Sequence, residues 1–187
     1  MKKSTVVLLG VVAIVVLIIA SIGGSYNGLV AKKEKADREL SNIDVQLERR
    51  ADLIPNLVST VKGYTSHEGE IIDKITSARE NLLKANTISE KSTANNELTS
   101  ALNALMVVVE NYPDLKSSQN FIQLADEIAG TENRVATARR DYNDAVTSYN
   151  TAIKTFPTNI LANMFGFDKK DYFEADKGKT DAPKVEF

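Results

Sequence analysis

FIQLADEIAGTENRVATARRDYNDAVTSYNTAIKTF, residues 121–156, carries the most regular hydrophobic period in this chain of 187 residues. Core-type residues recur there at steps of three and four without a slip, which is the period of one face of an α-helix. Gly130 lies within the pattern at a cost of about 1 kcal/mol relative to Ala, which a long helix tolerates. The spacing predicts a long helix that ends at Phe156-Pro157 and has this buried stripe: Phe121, Leu124, Ile128, Thr131, Val135, Ala138, Tyr142, Ala145, Tyr149, Ala152 and Phe156.

The first third of the chain has a similar stripe, which is interrupted by Pro55. Because the pattern resumes in phase after Pro55, we predict one kinked helix, in which the proline frees a backbone carbonyl near Ala51. Its stripe comprises Leu29, Ala36, Leu40, Ile43, Leu47, Ala51, Ile54, Val58 and Val61.

Residues 67–111 also show helical spacing, on both sides of a segment rich in cap and turn formers, 86–93. The pattern leaves open whether this region is one interrupted helix or two. Asn111 to Asp114 predicts a turn, because Pro113 disfavours helical angles at Tyr112.

No alternating β pattern of useful length accompanies these helices, so the sequence predicts an all-α fold. We expect an elongated antiparallel helical bundle of three long or four helices over residues 29–167, packed along its apolar seams. Residues 168–187 mix charges of both signs with few apolar residues, which predicts a flexible tail.

The N-terminus predicts a membrane anchor. After a flank of residues 1–4, residues 5–22 form an uncharged apolar run about as long as a transmembrane helix of ~20 residues. Residues 23–28 then predict a flexible linker. A cleaved signal peptide is the alternative, but its apolar stretch would be about 7–15 residues, followed by a small-residue cleavage site.

The orientation of the anchor follows from the lysines beside it. Lys2 and Lys3 abut the run, which favours a cytoplasmic N-terminus and an extracytoplasmic domain in the cell membrane. The basic residues from Lys32 to Arg38 favour the reverse, although they lie further from the span.

The composition argues against most catalytic chemistries. The net charge is −2, which gives no basic excess for nucleic acid. Cys is absent and there is one His, so thiolate chemistry and imidazole-based metal sites are not expected. We therefore expect no enzyme activity, no cofactor and no metal.

Seven segments of the chain carry a recognisable combination of motifs: Tyr26-Asn27-x-Leu29-Val30, residues 42–58, residues 111–116, Thr131-Glu132-Asn133, Tyr142-Asn143, Tyr149-Asn150 and Phe156-Pro157. Together these segments resemble the LemA family. The similarity covers nearly the whole chain, and the block around Arg49-Arg50 and Pro55 is its most specific part. The resemblance implies a bacterial single-pass membrane protein with an all-α domain, in a family without a settled activity or defined catalytic residues.

Arg49, Arg50 and Asp52 precede the kink at Pro55. Adjacent guanidinium groups suit carboxylate or phosphate oxygens, so this segment is a candidate partner or anion site. The structural alternative, which is the preferred interpretation, is that one arginine pairs across the bundle with an acid such as Glu132, beside Asn133.

Tyr142-Asn143 and Tyr149-Asn150 lie seven residues apart and occupy equivalent helix positions. A core hydrogen-bond network between helices is the preferred interpretation, and a ligand-binding ladder is the alternative.

The chain ends with apolar Val185 and Phe187 beside a free carboxylate. This pattern suits capture by strand addition in a groove of the PDZ type. An ordinary frayed tail is the preferred interpretation.

Together these features predict a membrane-anchored scaffold that contacts other envelope or membrane proteins. The alternative is a sensor or binding module that holds a small molecule between its helices.

Overall fold

The computed structural model describes residues 3–65 and 68–174, with side chains from Leu8 onward. This part of the chain contains helices and no β-strand, so the predicted all-α class is confirmed. The helices are α1 (Lys3–Lys62), α2 (Gly69–Lys84), α3 (Ile88–Val109), α4 (Pro113–Lys116), α5 (Gln119–Lys154) and α6 (Thr158–Phe165).

Helix α1 joins three segments that the sequence analysis kept apart: the apolar run, residues 23–28 and the helix that contains Pro55. The linker expected at residues 23–28 is helical. Glycine disfavours a helix by only about 1 kcal/mol per residue, and Leu29 is buried directly after this segment. Among the helices described, α1 alone is long and apolar enough to cross a membrane, by length and composition.

The region between residues 67 and 111 forms two helices, and a capping box starts the second. The Thr87 hydroxyl accepts from the Glu90 amide, and a Glu90 carboxylate oxygen accepts from the Thr87 amide at 3.0 Å. This exchange satisfies amide groups that a helix start leaves unpaired. A three-residue connection therefore makes α2 and α3 an antiparallel hairpin.

One compact unit comprises the chain up to Glu39 together with Asn143–Asp171. Its core includes Leu29, Val146, Tyr149 and Ala162, all almost fully buried. Phe156, the predicted end of the α5 stripe, is 77% exposed instead. The helix ends at Lys154, so helical spacing no longer controls which way Phe156 faces.

The second unit comprises Leu40–Tyr142 together with Tyr172–Glu174, among the residues that the structure describes. Four helical segments, from α1, α2, α3 and α5, contribute to its core. The pairs Lys91–Asp44 and Arg50–Asn95 keep the same chain order in α1 and α3, so these two segments run parallel. Among its most buried apolar residues are Ile43, Ile54, Ile75, Leu98, Leu105 and Val135, and Leu115 of the short α4 is buried as well.

The segment that the sequence predicts as the beginning of a tail makes specific contacts. Asn150 binds the backbone of Lys170, the Ser92 hydroxyl donates to the Glu174 carbonyl at 3.0 Å, and Phe173 is 3% exposed. Residues 168–174 therefore pack, and the boundary expected at 168 falls inside a packed segment.

Candidate binding site at Arg50

Arg50 of α1 is the largest side chain buried in the second unit, with 2% of its side chain exposed. Its Nη1 donates to Asn95 Oδ1 of α3 at 2.7 Å and forms an ion pair with Glu132 Oε2 of α5. Glu132 also accepts from the Thr99 hydroxyl at 3.2 Å. One guanidinium group thus joins three helical segments through polar contacts in the core.

The same carboxylate lies near a second guanidinium group, that of Arg139. Burial lowers the pKa of Arg139, Glu132 acts in the opposite direction, and the like charge of Arg50 lowers it further. Burial likewise lowers the pKa of Arg50, while the charge and hydrogen bond of Glu132 raise it. Two arginines and one carboxylate give this cluster a formal charge of +1.

Several nitrogen atoms of this cluster are buried without a hydrogen-bond partner. They are Arg50 Nε, Asn95 Nδ2, and both Nε and Nη2 of Arg139. Each bears N–H groups and can only donate, so the unmet demand is for acceptors. Donors combined with excess positive charge favour an anionic or acidic group.

A cavity of about 340 Å³ opens beside Arg50. This volume lies in the range of about 300–1,000 Å³ that small-molecule sites occupy. Thr99, Glu132 and Asn133 add polar groups to its wall. The rest of the wall is mainly apolar: Leu57, Leu102, Leu105, Met106, Ala125, Ile128 and Ala129.

The proline in α1 creates a second polar contact close by. Proline has no amide hydrogen, so Pro55 cannot donate to the carbonyl four residues earlier, which belongs to Ala51. Arg79 of α2 supplies that donor instead, with its Nε 2.8 Å from the Ala51 oxygen. The carbonyl that the sequence predicts to be free therefore attaches α2 to α1.

The other residues of the predicted Arg segment do not join the buried cluster. Arg49 and Asp52 are exposed, as is Asn133, although Asn133 lines the cavity. Arg50 and Glu132 form the ion pair that the sequence analysis gave as its structural alternative.

Tyr149 and Asn150 of the first unit bind the chain that follows α6 rather than a neighbouring helix. Tyr149 donates from its hydroxyl to the Asp168 carbonyl at 2.9 Å, and Asn150 exchanges two hydrogen bonds with the Lys170 backbone. Burial raises the pKa of Tyr149, and the charges of Asp168 and Asp37 raise it further.

Tyr142 is 1% exposed and Asn143 is half-buried. Val185 and Phe187, the predicted C-terminal recognition residues, lie outside the described residues.

Asn95, Thr99 and Arg139 also belong to the cluster around Arg50, and none of them was predicted from the sequence. Asn95 extends the stripe of Leu98, Leu102, Leu105 and Val109 by one helical step. A polar residue on an otherwise apolar stripe indicates a polar contact in the core. Arg139 lies seven residues after Glu132, on the same helix face.

The described residues contain no group of three His, Cys, Asp or Glu side chains placed to hold a metal ion.

Comparison with known proteins identifies relatives along most of the chain. MamQ 2, a magnetosome protein of Paramagnetospirillum magneticum, is 32% identical over 197 aligned positions, covering 91% of this chain and 72% of the relative. MamQ of Magnetospirillum gryphiswaldense is 30% identical and covers 86% and 68%. The protein LemA of Metamycoplasma hominis is 31% identical and covers 81% and 70%. The sequence pattern of the LemA family matches residues 39–187, so this chain belongs to the LemA family.

Proposed function

We propose that this chain is a membrane-anchored helical interaction protein of the bacterial envelope, with no catalytic activity of its own. The observation that carries the proposal is the exposed apolar surface of α1. Side chains such as Leu9, Val16 and Leu17 are 56–69% exposed, and the most apolar window of the helix has a mean hydropathy of 2.6 with none of it buried. Contiguous apolar surface of this extent marks a membrane or protein interface.

The span is proposed to cross the membrane once, with the N-terminus in the cytoplasm. Lys2 and Lys3 precede the apolar run directly, and basic residues close to a span favour the cytoplasmic side. Protease added to intact spheroplasts should then degrade the chain beyond Ser25 while a cytoplasmic control protein survives. Full protection of the chain would show that Lys32 to Arg38 determine the orientation instead.

The interaction role can be tested at exposed apolar residues of the helices. Val107 in α3 is 72% exposed, and Met106 beside it is 46% exposed. A photo-crosslinking amino acid at Val107 should capture a defined protein in intact membranes, and the same group at exposed Ser100 serves as the control. If no position on the exposed helix faces yields a defined adduct, the interaction role is wrong.

A second candidate function, the binding of an acidic amphiphile, is favoured by the cavity beside Arg50. The unpartnered Arg50 Nε would receive a carboxylate, and the apolar wall would cover a short hydrocarbon chain. Octanoate is a suitable probe, and octanol, which has the same chain and no charge, is its control.

Calorimetry on the full chain in detergent should detect octanoate and not octanol, because the cluster carries a positive charge. Arg50→Met removes the guanidinium group while keeping an apolar side chain of similar length, and it should abolish the signal. Equal heats from both probes would attribute the signal to detergent or to apolar contact and contradict this candidate.

A further inference from the structure

Helix α6 leaves large apolar side chains uncovered. Ile160 is 51% exposed, Met164 is 71% exposed and Phe165 is 53% exposed, whereas Ala162 is buried on the opposite side. Positions 160, 161, 164 and 165 fall within an arc of about 140° around the helix, because successive residues are about 100° apart. The apolar face therefore points away from the core of its own unit.

The sequence around α6 also lacks charge. Between Lys154 and Asp168 there is no Asp, Glu, Lys or Arg. A surface helix in water usually places charged residues on its outward face. The outward face of α6 has the composition of a helix that lies against hydrocarbon.

The position of α6 indicates what covers that face. Within the first unit, α6 and the second half of the apolar run line a groove of about 560 Å³, with Ile14, Leu17 and Ile18 on one wall and Ile160 and Met164 on the other. Ile14 precedes Ile22, the end of the run, by eight residues, or about 12 Å along the helix. One leaflet of a bilayer contributes about 15 Å of hydrocarbon, so the groove lies at the depth of one leaflet when the run spans the membrane.

Aromatic contacts attach α6 to α1 where α1 leaves the apolar run. The Tyr26 ring lies edge-on to Phe165 at 5.0 Å and to Phe167 at 5.7 Å between centroids. Aromatic side chains with one polar end are enriched at membrane–water interfaces. Gly166 then takes φ +69° and ends α6, which allows the polar chain after it to turn away.

We propose that α6 is a second membrane contact, which lies within one leaflet beside the span, and that lipid acyl chains fill the groove between them. This inference rests on the proposed anchor, because the depth of α6 is counted from the span. The anchor alone would hold the chain to the membrane at one point. The second contact fixes how the helix rotates and tilts at the membrane surface.

Depth-dependent quenching tests this proposal on the full chain. The chain has no cysteine, so single-cysteine variants can each carry one environment-sensitive fluorophore. The informative variants are Ile160→Cys and Met164→Cys, with Leu17→Cys as the control for the span. Glu34→Cys is the aqueous control, since it lies twelve residues, or about 18 Å, beyond Ile22 on the same helix.

The labelled proteins are reconstituted into phosphatidylcholine vesicles with and without bromine on the lipid acyl chains. Bromine should quench the label at Ile160 and Met164 at least about three-fold more than the label at Glu34, and to a degree similar to Leu17. Quenching at Leu17 alone would overturn the α6 contact and leave the anchor in place. An absence of quenching at all three apolar positions would overturn both, and equal quenching at Glu34 would overturn the inference by showing no dependence on depth.

Discussion

Arg79 and Pro55 should be energetically coupled, because both act on the carbonyl of Ala51. In the native chain, Pro55 leaves this carbonyl without a donor from its own helix, and Arg79 Nε donates to it at 2.8 Å. Arg79→Met keeps an apolar stem of similar length and removes the donor. Pro55→Ala restores a backbone amide that can donate to the same carbonyl within α1.

The size of the coupling follows from the geometry. A hydrogen bond from a charged donor contributes about 1.5–3 kcal/mol, and Arg79 is half-buried, so we expect the low end, about 1.5 kcal/mol, for Arg79→Met. For a chain of this size, that loss lowers Tm by about 3–6 °C. In the Pro55→Ala background the carbonyl has an alternative donor, so the same substitution should cost less than about half as much.

The assay is a double-mutant cycle measured by thermal unfolding of the full chain in detergent, followed by far-UV circular dichroism. Pro55→Ala alone should keep the fold, because α1 already runs through residue 55 as a helix. The control variant is Arg49→Ala, which changes an exposed arginine on α1, the helix that contains Pro55. Strict additivity of Arg79→Met and Pro55→Ala would refute the reasoning, because it would show that the two residues do not share the carbonyl.

Three further predictions concern Arg50, Tyr149 and the C-terminal residues. Arg50→Ala should lower the free energy of unfolding by about 3 kcal/mol, against about 0–1 kcal/mol for Arg49→Ala. The value for Arg50 is the low end for a broken buried pair, because its carboxylate partner is 40% exposed. Equal small losses for both variants in urea titrations would contradict this prediction. Burial and two nearby carboxylates raise the pKa of Tyr149, so its stabilising contribution is complete below pH ~10 and declines as the pH rises through the higher native value. The Tm difference between wild type and Tyr149→Phe should therefore shrink between about pH 9 and 12, and a constant difference would argue against it. Deleting Val185–Phe187 should leave Tm unchanged and abolish capture of at least one membrane partner, whereas a large fall in Tm would mean that the tail stabilises the helices.

Helical periodicity predicted the parts of the structure that depend on local pattern. The α5 stripe from Phe121 to Tyr149 and the unbroken course of α1 through Pro55 both follow from spacing, because a helix places every third or fourth residue on one side. The loss of the helical donor to the Ala51 carbonyl was predictable for the same reason, since it depends only on the chemistry of a proline four residues later.

Contacts between residues distant in sequence were beyond this reasoning. Nothing local indicates that Arg79 reaches Ala51 or that Asn95 meets Arg50, because these pairs depend on how separate helices align. Residues 23–28 were expected to be a linker because glycine propensity was considered without the packing that follows at Leu29. Phe173 lies in a charged stretch, so composition predicted a flexible tail there. In the structure the Arg139 guanidinium carbon lies 4.5 Å from the centre of the Phe173 ring.

The attachment of Lys170 to Asn150 determines which substitutions this chain tolerates at the two positions. The Asn150 side chain donates to the Lys170 carbonyl at 2.9 Å and accepts from the Lys170 amide at 3.0 Å, in the manner of a neighbouring β-strand. Both bonds are to the main chain and therefore do not depend on the side chain at position 170. The ion pair from Lys170 Nζ to Asp37 is half-buried and does depend on that side chain. Residue 170 can therefore change with the loss of this ion pair while Asn150 stays fixed, with proline as the exception, because proline would remove the donor that the asparagine oxygen requires.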